Sequence, residues 1–405
     1  MKIDTDSKKI DEILNRGTIV EILPDKEEFK KKLLSGERMR FYIGFDATAP
    51  VLHLSHAKNF ILMEKFRKLG HEVIILFGDF TARIGDPSGQ SSARKQLTRE
   101  EVLENIKKWK EMISPLMDFK NKENPPLIKY NSDWLAKLTF EEIINLASNI
   151  TVQQILERDM FQKRMSEGKP VHLHEFLYPL MQGYDSVAMD IDVEVCGTDQ
   201  TFNALIGRNL LKKLKGKEKF VVAITLMENP KTGELMSKSK GNGVFLGGSP
   251  EEMFGQIMSQ PDEMIKILFI NNTYIPSEEI NKFEEEMEKG TNPRDIKIIL
   301  AKEIVKVHYG EQKAKKAEEY FINTFSNKEI PEDVQMVYIS KEEKLSETLL
   351  KNNLVSSMSD FKRLIDSGSI TDMSSNKKIE DYNYLITDTA IFKVGKHRFV
   401  KIIVN

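Results

Sequence analysis

The stretch from Phe41 to Phe77 restricts the fold of this chain more than any other. Phe41, Ile43 and Phe45 alternate with Tyr42, Gly44 and Asp46, the two-residue period of a strand with one apolar side and one side free for polar work. After Ala49-Pro50, the apolar residues Phe60, Ile61, Leu62, Phe66 and Leu69 predict a helix ending near Gly70. Val73 to Phe77 then reads as a buried strand. Strand, helix and strand in that order make the repeating unit of a parallel sheet. Small anionic ligands bind beyond the carboxyl ends of such strands, where the first helix points free amide groups and the positive end of its dipole.

His53 and His56 fall at the opening of that helix, three residues apart and therefore on one face. There they can donate hydrogen bonds to a phosphate that gains charge during reaction. The same pair could instead be two surface side chains, or half of a metal site. Cys196 is the only cysteine and no HExxH occurs, so the sequence offers no obvious third ligand and no protein-bound metal is expected. No GxGxxG follows the strand, and no GxxxxGK with a following Ser or Thr occurs, so neither dinucleotide binding nor a P-loop is supported.

A chain of 405 residues is long enough for two or three domains, and 40% hydrophobic with 30% charged residues is ordinary for a globular protein. A formal net charge of -2 excludes a generally basic nucleic-acid binder and leaves room for a local basic patch. One cysteine excludes an intramolecular disulfide framework and suits a reducing cytosol. The opening MKIDTDSKKIDEIL has no apolar core for a signal peptide, and no uncharged apolar run reaches membrane-spanning length. A cytoplasmic location without a membrane partner is expected.

In chain order, residues 1 to 38 predict one or two amphipathic helices. Gly78 to Gly89, GDFTARIGDPSG, predicts a loop at the carboxyl end of the sheet. Its Asp86 could hold a substrate ammonium group, or could simply belong to an Asp-Pro-Ser-Gly turn. Ser91 to Glu101 carries Arg94, Lys95 and Arg99, which could meet phosphates or solvent. From about 102 to 160 the pattern is largely helical, broken at Asn124-Pro125-Pro126, as an insertion between the halves of a doubly wound sheet would be. Such insertions form subunit contacts, so a homodimer is expected.

Leu173 to Met189, LHEFLYPLMQGYDSVAM, sets Tyr178, Gln182 and Asp185 four and three residues apart, a polar stripe on an apolar helix. Pro179 requires that helix to begin just before it. A carboxylate on so apolar a helix faces either solvent or a ligand. Val193 to Val195 reads as a strand whose turn, Cys196 to Gln200, brings Asp199 and Gln200 over the same crevice as His53. Val221 to Leu226 is the last strand of this part. It leads into MENPKTGELMSKSKGNGVF, a loop whose Lys238 could close over a triphosphate or remain solvated. Residues 246 to 333 predict a helical domain with a basic side, and 334 to 405 a small third domain.

Together these motifs resemble the class I aminoacyl-tRNA synthetases, and within them the bacterial tyrosyl-tRNA synthetase family. His53-Leu54-Ser55-His56 is similar to the HIGH signature and Leu235-Met236-Ser237-Lys238-Ser239 to KMSKS. YIGFDATAP, IGDPSG, YPLMQGYD and GTDQ resemble tyrosine-enzyme motifs in the family's order. The resemblance implies a Rossmann-like doubly wound α/β catalytic domain over 1–245, with a helical insertion at about 102–160 and a mobile KMSKS-like loop at 231–243. It further implies a helical anticodon-binding domain over 246–333 and an α+β S-four-like RNA-binding domain over 334–405. The implied activity joins L-tyrosine to tRNA(Tyr) in two steps, through tyrosyl-adenylate, with ATP and its Mg2+ as substrate.

By the same resemblance, His53, His56, Thr48, Lys238 and Arg94 would act on the ATP phosphates. Gly44 and Asp46 would hold the adenylate, and Asp199 its ribose. Tyr178, Asp86 and Gln182 would take the substrate ammonium, Gln200 its carboxylate, and Tyr42 and Asp185 the phenol. Ser55 stands where HIGH has glycine and Leu235 where KMSKS has its first lysine. Those departures motivate an alternative, a synthetase-derived RNA-binding protein with weakened catalysis. Tryptophan specificity is a third reading, opposed by the tyrosine-type YPLMQGYD.

Overall fold

The computed structural model describes residues 2–85, 97–236, 242–325, 334–339, 342–373, 375, 377–395 and 398–404. They divide into two compact units, 1–314 and 315–405. In the first unit the chain runs α1 (Ser7–Asn15), β1 (Ile19–Leu23), α2 (Lys26–Leu34), β2 (Arg40–Phe45), α3 (Leu54–Lys68), β3 (Glu72–Phe77), α4 (Thr81–Ile84), α5 (Arg99–Ile113) and β4 (Leu127–Tyr130). It continues through α6 (Ser132–Leu135), α7 (Phe140–Ala147), α8 (Val152–Leu156), α9 (Asp159–Ser166), α10 (Leu173–Met189), β5 (Val193–Gly197), α11 (Thr201–Lys215) and β6 (Phe220–Ile224). Four more helices follow, α12 (Pro250–Met258), α13 (Ile265–Asn272), α14 (Ser277–Glu288) and α15 (Pro293–Tyr309).

The expected strand, helix and strand form as β2, α3 and β3, with β2 and β3 parallel and Phe41 opposite Val73. The six strands lie in the order β1-β6-β5-β2-β3-β4. From β2 the chain moves outward through β3 and β4, then returns to β5 on the other side of β2. Strand order therefore reverses between β2 and β5, the place where an α/β sheet opens a crevice at its carboxyl edge. Phe41, Tyr42 and Ile43 are all buried, since helices cover both faces of the sheet.

The structure corrects three sequence readings. Residues 1 to 38 hold a strand as well as helices: β1 runs antiparallel to β6, so the sheet is mixed. Flanked by Gly17 and Pro24 and half exposed at the sheet edge, IVEIL shows too few alternations to be read as a strand. The insertion supplies β4, parallel to β3, immediately after Asn124-Pro125-Pro126. Pro179 lies well inside α10, not in its first turn. The helix starts earlier because Glu175 accepts from the backbone N–H of His172 at 2.9 Å and pairs with Arg164.

The residues expected to begin a separate domain at 246 remain in the first unit up to 314. The reason is polar as well as apolar. The buried guanidinium of Arg16 donates to the carbonyls of Phe269, Ile270, Thr273 and Ile275, and Asn272 donates to the Leu54 carbonyl at 2.9 Å. Part of the expected basic side is neutralised, with Lys297 paired to Asp262 and Lys306 to Glu311.

α16 (Glu311–Phe325) carries the boundary at 314/315. The second unit adds β7 (Gln335–Ile339), β8 (Glu343–Lys344), α17 (Leu345–Lys351), α18 (Met358–Asp366), β9 (Ile370–Asp372), β10 (Lys377–Lys378), β11 (Leu385–Ile386), β12 (Ala390–Val394) and β13 (Arg398–Val404). Five of its strands form a sheet ordered β10-β9-β12-β13-β7, over a core that includes Leu345, Leu349, Phe361, Phe392 and Val400.

Candidate active site

A cavity of about 310 Å³ opens at the reversal between β2 and β5. Tyr42, Gly44 and Asp46 line it from β2 and the residue beyond it, and Ile43 and Phe45, which the strand period puts on the opposite face, line it too. Tyr178, Gln182 and Asp185 line it from α10, and Asp199 and Gln200 from the turn after β5. His56 lines it from the first turn of α3. A Cβ on Gly44 would make ordinary van der Waals contact, with Leu76 and Tyr42 at 3.9 Å, so the glycine keeps that much of the cavity wall clear of side chain.

One set of hydrogen bonds links Asp46 to Asp185. Tyr178 donates to Asp46 at 2.8 Å, and Thr81 donates to the other Asp46 oxygen at 2.7 Å. Asn131 donates to Thr81 at 3.0 Å and to Asp185 at 3.3 Å, and Trp134 donates to Asp185 at 2.7 Å. Gly78 permits this approach, since a Cβ there would fall 2.1 Å from Asp46. Burial holds the Asp185 carboxyl well above the usual carboxylate range, against the two donors, which favour its charged form. Burial likewise raises the Tyr42 phenol, and the charges of Glu194 and Asp185 add to the rise. The Tyr42 phenol thus lies within the field of Asp185, and both residues line the same cavity.

A second set runs along the opposite wall. Gln200 donates to Asp199 at 3.2 Å, and Asn203 donates to Gln200 and to Gln182, both at 2.9 Å. Gln182 donates to Glu194 at 3.2 Å. Glu194 forms a buried ion pair with Lys219, which also donates to Ser186 at 2.7 Å, and the Ser186 hydroxyl lies 3.2 Å from that of Tyr42. Each partly rotatable side chain is held by the next, which is what a site built to bind one shape needs.

At the other end, His53 caps α3 and its backbone N–H donates to Nδ1 of His56 at 3.3 Å. A neutral His56 ring with Nδ1 accepting carries its proton on Nε2, a donor for an incoming oxygen. Burial lowers His53 to about 4 and His56 to about 3, with Lys58 pushing both the same way. Leu52 and Leu54 pair with Leu246 and Val244, so the chain just after the LMSKS stretch is stitched to the HLSH stretch.

Not every expected residue reaches the cavity. His53 and Thr48 stand beside it without lining it, Thr48 in a turn where its N–H donates to the Asp46 carbonyl at 2.8 Å. Asp86, Arg94 and Lys238 lie outside the described residues. Sequence reasoning missed Lys58, Thr81, Asn131, Trp134, Ser186, Glu194 and Lys219. Glu194 carried a signal, being the one charge in the buried strand VEVCG. Among the described residues no cluster of three or more His, Cys, Asp or Glu side chains is placed to hold a metal ion, and no helix is long and apolar enough to cross a membrane.

A parallel-sheet crevice with a histidine pair opening the first crossover helix, bridged at His53 to Phe245 just beyond the LMSKS stretch, is the arrangement of a class I synthetase. The family described as tRNA synthetases class I (W and Y) matches residues 34–326, and the chain belongs to it. Within that family its relatives are tyrosine–tRNA ligases. It is 43% identical to the one from Carboxydothermus hydrogenoformans, over 97% of both chains, and 41% identical to that from Thermotoga maritima, over 96% of both. A truncated mitochondrial tyrosyl-tRNA synthetase from Aspergillus nidulans shares the fold, with a TM-score of 0.67 at 22% identity over 78% of this chain and 94% of that one. The tyrosyl-tRNA synthetase from Archaeoglobus fulgidus, solved with L-tyrosine, gives 0.59 at 20% identity, over 78% of this chain and 100% of that one.

Proposed function

We infer that this protein is a tyrosine–tRNA ligase. The observation that carries the reading is one cavity lined by Tyr42 and Asp185 together with His56 and Asp199. The substrate carboxylate attacks the α-phosphorus of ATP, the bond to the bridging oxygen of the β-phosphate breaks, and pyrophosphate leaves. The tyrosyl group then passes from the adenylate to the terminal ribose of tRNA(Tyr). Little covalent work falls on the protein, so positioning and charge stabilisation set the rate.

In this reading Tyr42 and Asp185 take the phenol hydroxyl. Tyr178, Gln182 and Asp86 take the ammonium, and Gln200 the carboxylate. Gly44 makes room for the adenylate that Asp46 helps to hold, and Asp199 takes its ribose. His53, His56, Thr48, Arg94 and Lys238 serve the phosphates, and Mg2+ arrives with ATP. A pocket that pairs with a hydroxyl rejects an analogue lacking it, because its own buried groups are left without partners.

The helices from 246 to 333 are assigned to the anticodon arm, and 334–405 to an S-four-like RNA-binding role, supported by the small mixed sheet with two helices. A homodimer is assigned on the exposed apolar side chains of the insertion, with Phe140 78% and Ile144 53% exposed, and a cytoplasmic location on the resemblance to bacterial synthetases. The test of the activity is tyrosine-dependent exchange of pyrophosphate into ATP; purified protein without exchange rejects it. The competing reading, an RNA-binding protein with weakened catalysis, rests on Ser55, which lines the cavity, and on the exposed Leu235. It requires RNA binding without exchange.

A further inference from the structure

Lys58 sits in the second turn of α3, lines the cavity and is only 3% exposed. Among the described residues its ammonium has one hydrogen-bond partner, the side-chain oxygen of Asn59 at 2.8 Å, and no acid within ion-pair distance. An ammonium group has three donors, and burying it with a single amide partner is costly. Lys219 shows what a structural lysine looks like in the same fold: 1% exposed, paired with Glu194 and bonded to Ser186. Lys58 lacks that support, and the space in front of it is the cavity itself.

Lys58 and Asp199 both line the cavity. Asp199, from the turn after β5, favours the positive form of Lys58, and the Lys58 charge in turn disfavours the protonated rings of His53 and His56 at the start of the same helix. Asp199 and Lys58 therefore bring opposite charges to the lining of one cavity. A ligand with hydroxyls for the carboxylate and anionic or lone-pair oxygens for the ammonium satisfies both at once, and a nucleoside triphosphate carries both.

We propose that Lys58 is a nucleotide-binding residue of this site, donating to oxygen acceptors of ATP on the side where Asp199 holds the ribose. The proposal rests on the ligase reading for the identity of the ligand. In the free protein burial lowers the Lys58 ammonium to about 7, against the pull of Asp199, and the anionic ligand restores its charge. ATP binding is then coupled to proton uptake above neutral pH, and affinity falls as pH rises from 7 to 9.

The experiment compares the wild type with Lys58→Met and Lys58→Arg in pyrophosphate exchange, varying ATP at saturating tyrosine and the reverse. Loss of a charged hydrogen bond predicts a KM for ATP raised about tenfold or more in Lys58→Met, with the KM for tyrosine within about twofold. The wild-type KM for ATP rises between pH 7 and 9, that of Lys58→Met does not, and Lys58→Arg restores a low KM without the rise. A Lys58→Met protein with the wild-type KM and pH profile overturns the proposal. Calorimetry of ATP binding to the wild type at pH 8, in two buffers of different ionisation enthalpy, needs no variant. Proton uptake supports the proposal and its absence overturns it. A wild type that binds ATP with proton uptake but performs no exchange defeats the ligase reading while leaving Lys58 in place.

Discussion

Trp134 donates its indole N–H to one carboxylate oxygen of Asp185 at 2.7 Å, while Asn131 holds the other at 3.3 Å. The carboxylate is therefore fixed in orientation before any substrate arrives. Trp134→Phe keeps the ring and removes the donor, which leaves Asp185 free to turn away from the phenol that it is proposed to take. Leaving a buried carboxyl oxygen without its donor costs roughly 1–3 kcal/mol. The expected result is a fall of about tenfold or more in preference for tyrosine over phenylalanine, with the KM for ATP unchanged. Exchange measured with both amino acids checks it.

Behind Tyr42, the buried pair of Glu194 and Lys219 is a liability once one member goes. Lys219→Met leaves a carboxylate uncompensated in the core, at a cost of roughly 3–5 kcal/mol. The double change Lys219→Met with Glu194→Gln keeps an amide for Gln182 and buries no charge, so most of that loss is recovered. Urea unfolding of the single and double variants measures both. A single variant as stable as the wild type would show that Glu194 finds another partner.

What the sequence makes legible here follows from locality. Tyr178, Gln182 and Asp185 share a helix face, and Tyr42, Gly44 and Asp46 a strand face, because spacing alone decides which side each occupies. Asn131 and Trp134 act on Asp185 from more than fifty residues away, carried there by β4, a four-residue strand inside a region whose pattern is helical. Lys58 shows nothing unusual in the sequence, because what makes it one of the cavity residues is the turn after β5, about 140 residues further along the chain, which lines the same cavity. The edge strand β1 escapes notice for a related reason. Its pairing with β6 bridges some two hundred residues of sequence and leaves no local trace beyond IVEIL.

Two buried histidines outside the cavity predict how stability depends on pH. His71 and His308 each bury Nε2 without a partner among the described residues, and burial lowers both rings to about 4. The unfolded chain protonates them near 6.5, so between pH 6.5 and 4 it binds protons that the folded protein does not. Stability therefore falls as pH drops through that window, by roughly 1.4 kcal/mol per pH unit for each ring. His308→Leu should remove about one ring's share of the slope. Chemical unfolding at pH 7, 6 and 5 reads it directly, and an unchanged slope in the variant contradicts the assignment.

The insertion offers the last test. In α7, Phe140 and Ile144 stand one turn apart with both side chains largely exposed, and Leu173 at the start of α10 is exposed to a similar degree. Apolar groups so placed add little to this subunit's core, whereas in a two-fold interface they would be covered by a second copy. Phe140→Asp should therefore shift the protein from dimer to monomer in sedimentation while leaving its near-ultraviolet circular dichroism and thermal unfolding onset at high protein dilution unchanged. The distinction lies in concentration: a wild type whose apparent stability rises with protein concentration, beside a variant whose stability does not, places the lost free energy between subunits and not within one. A variant that remains dimeric would move the interface elsewhere.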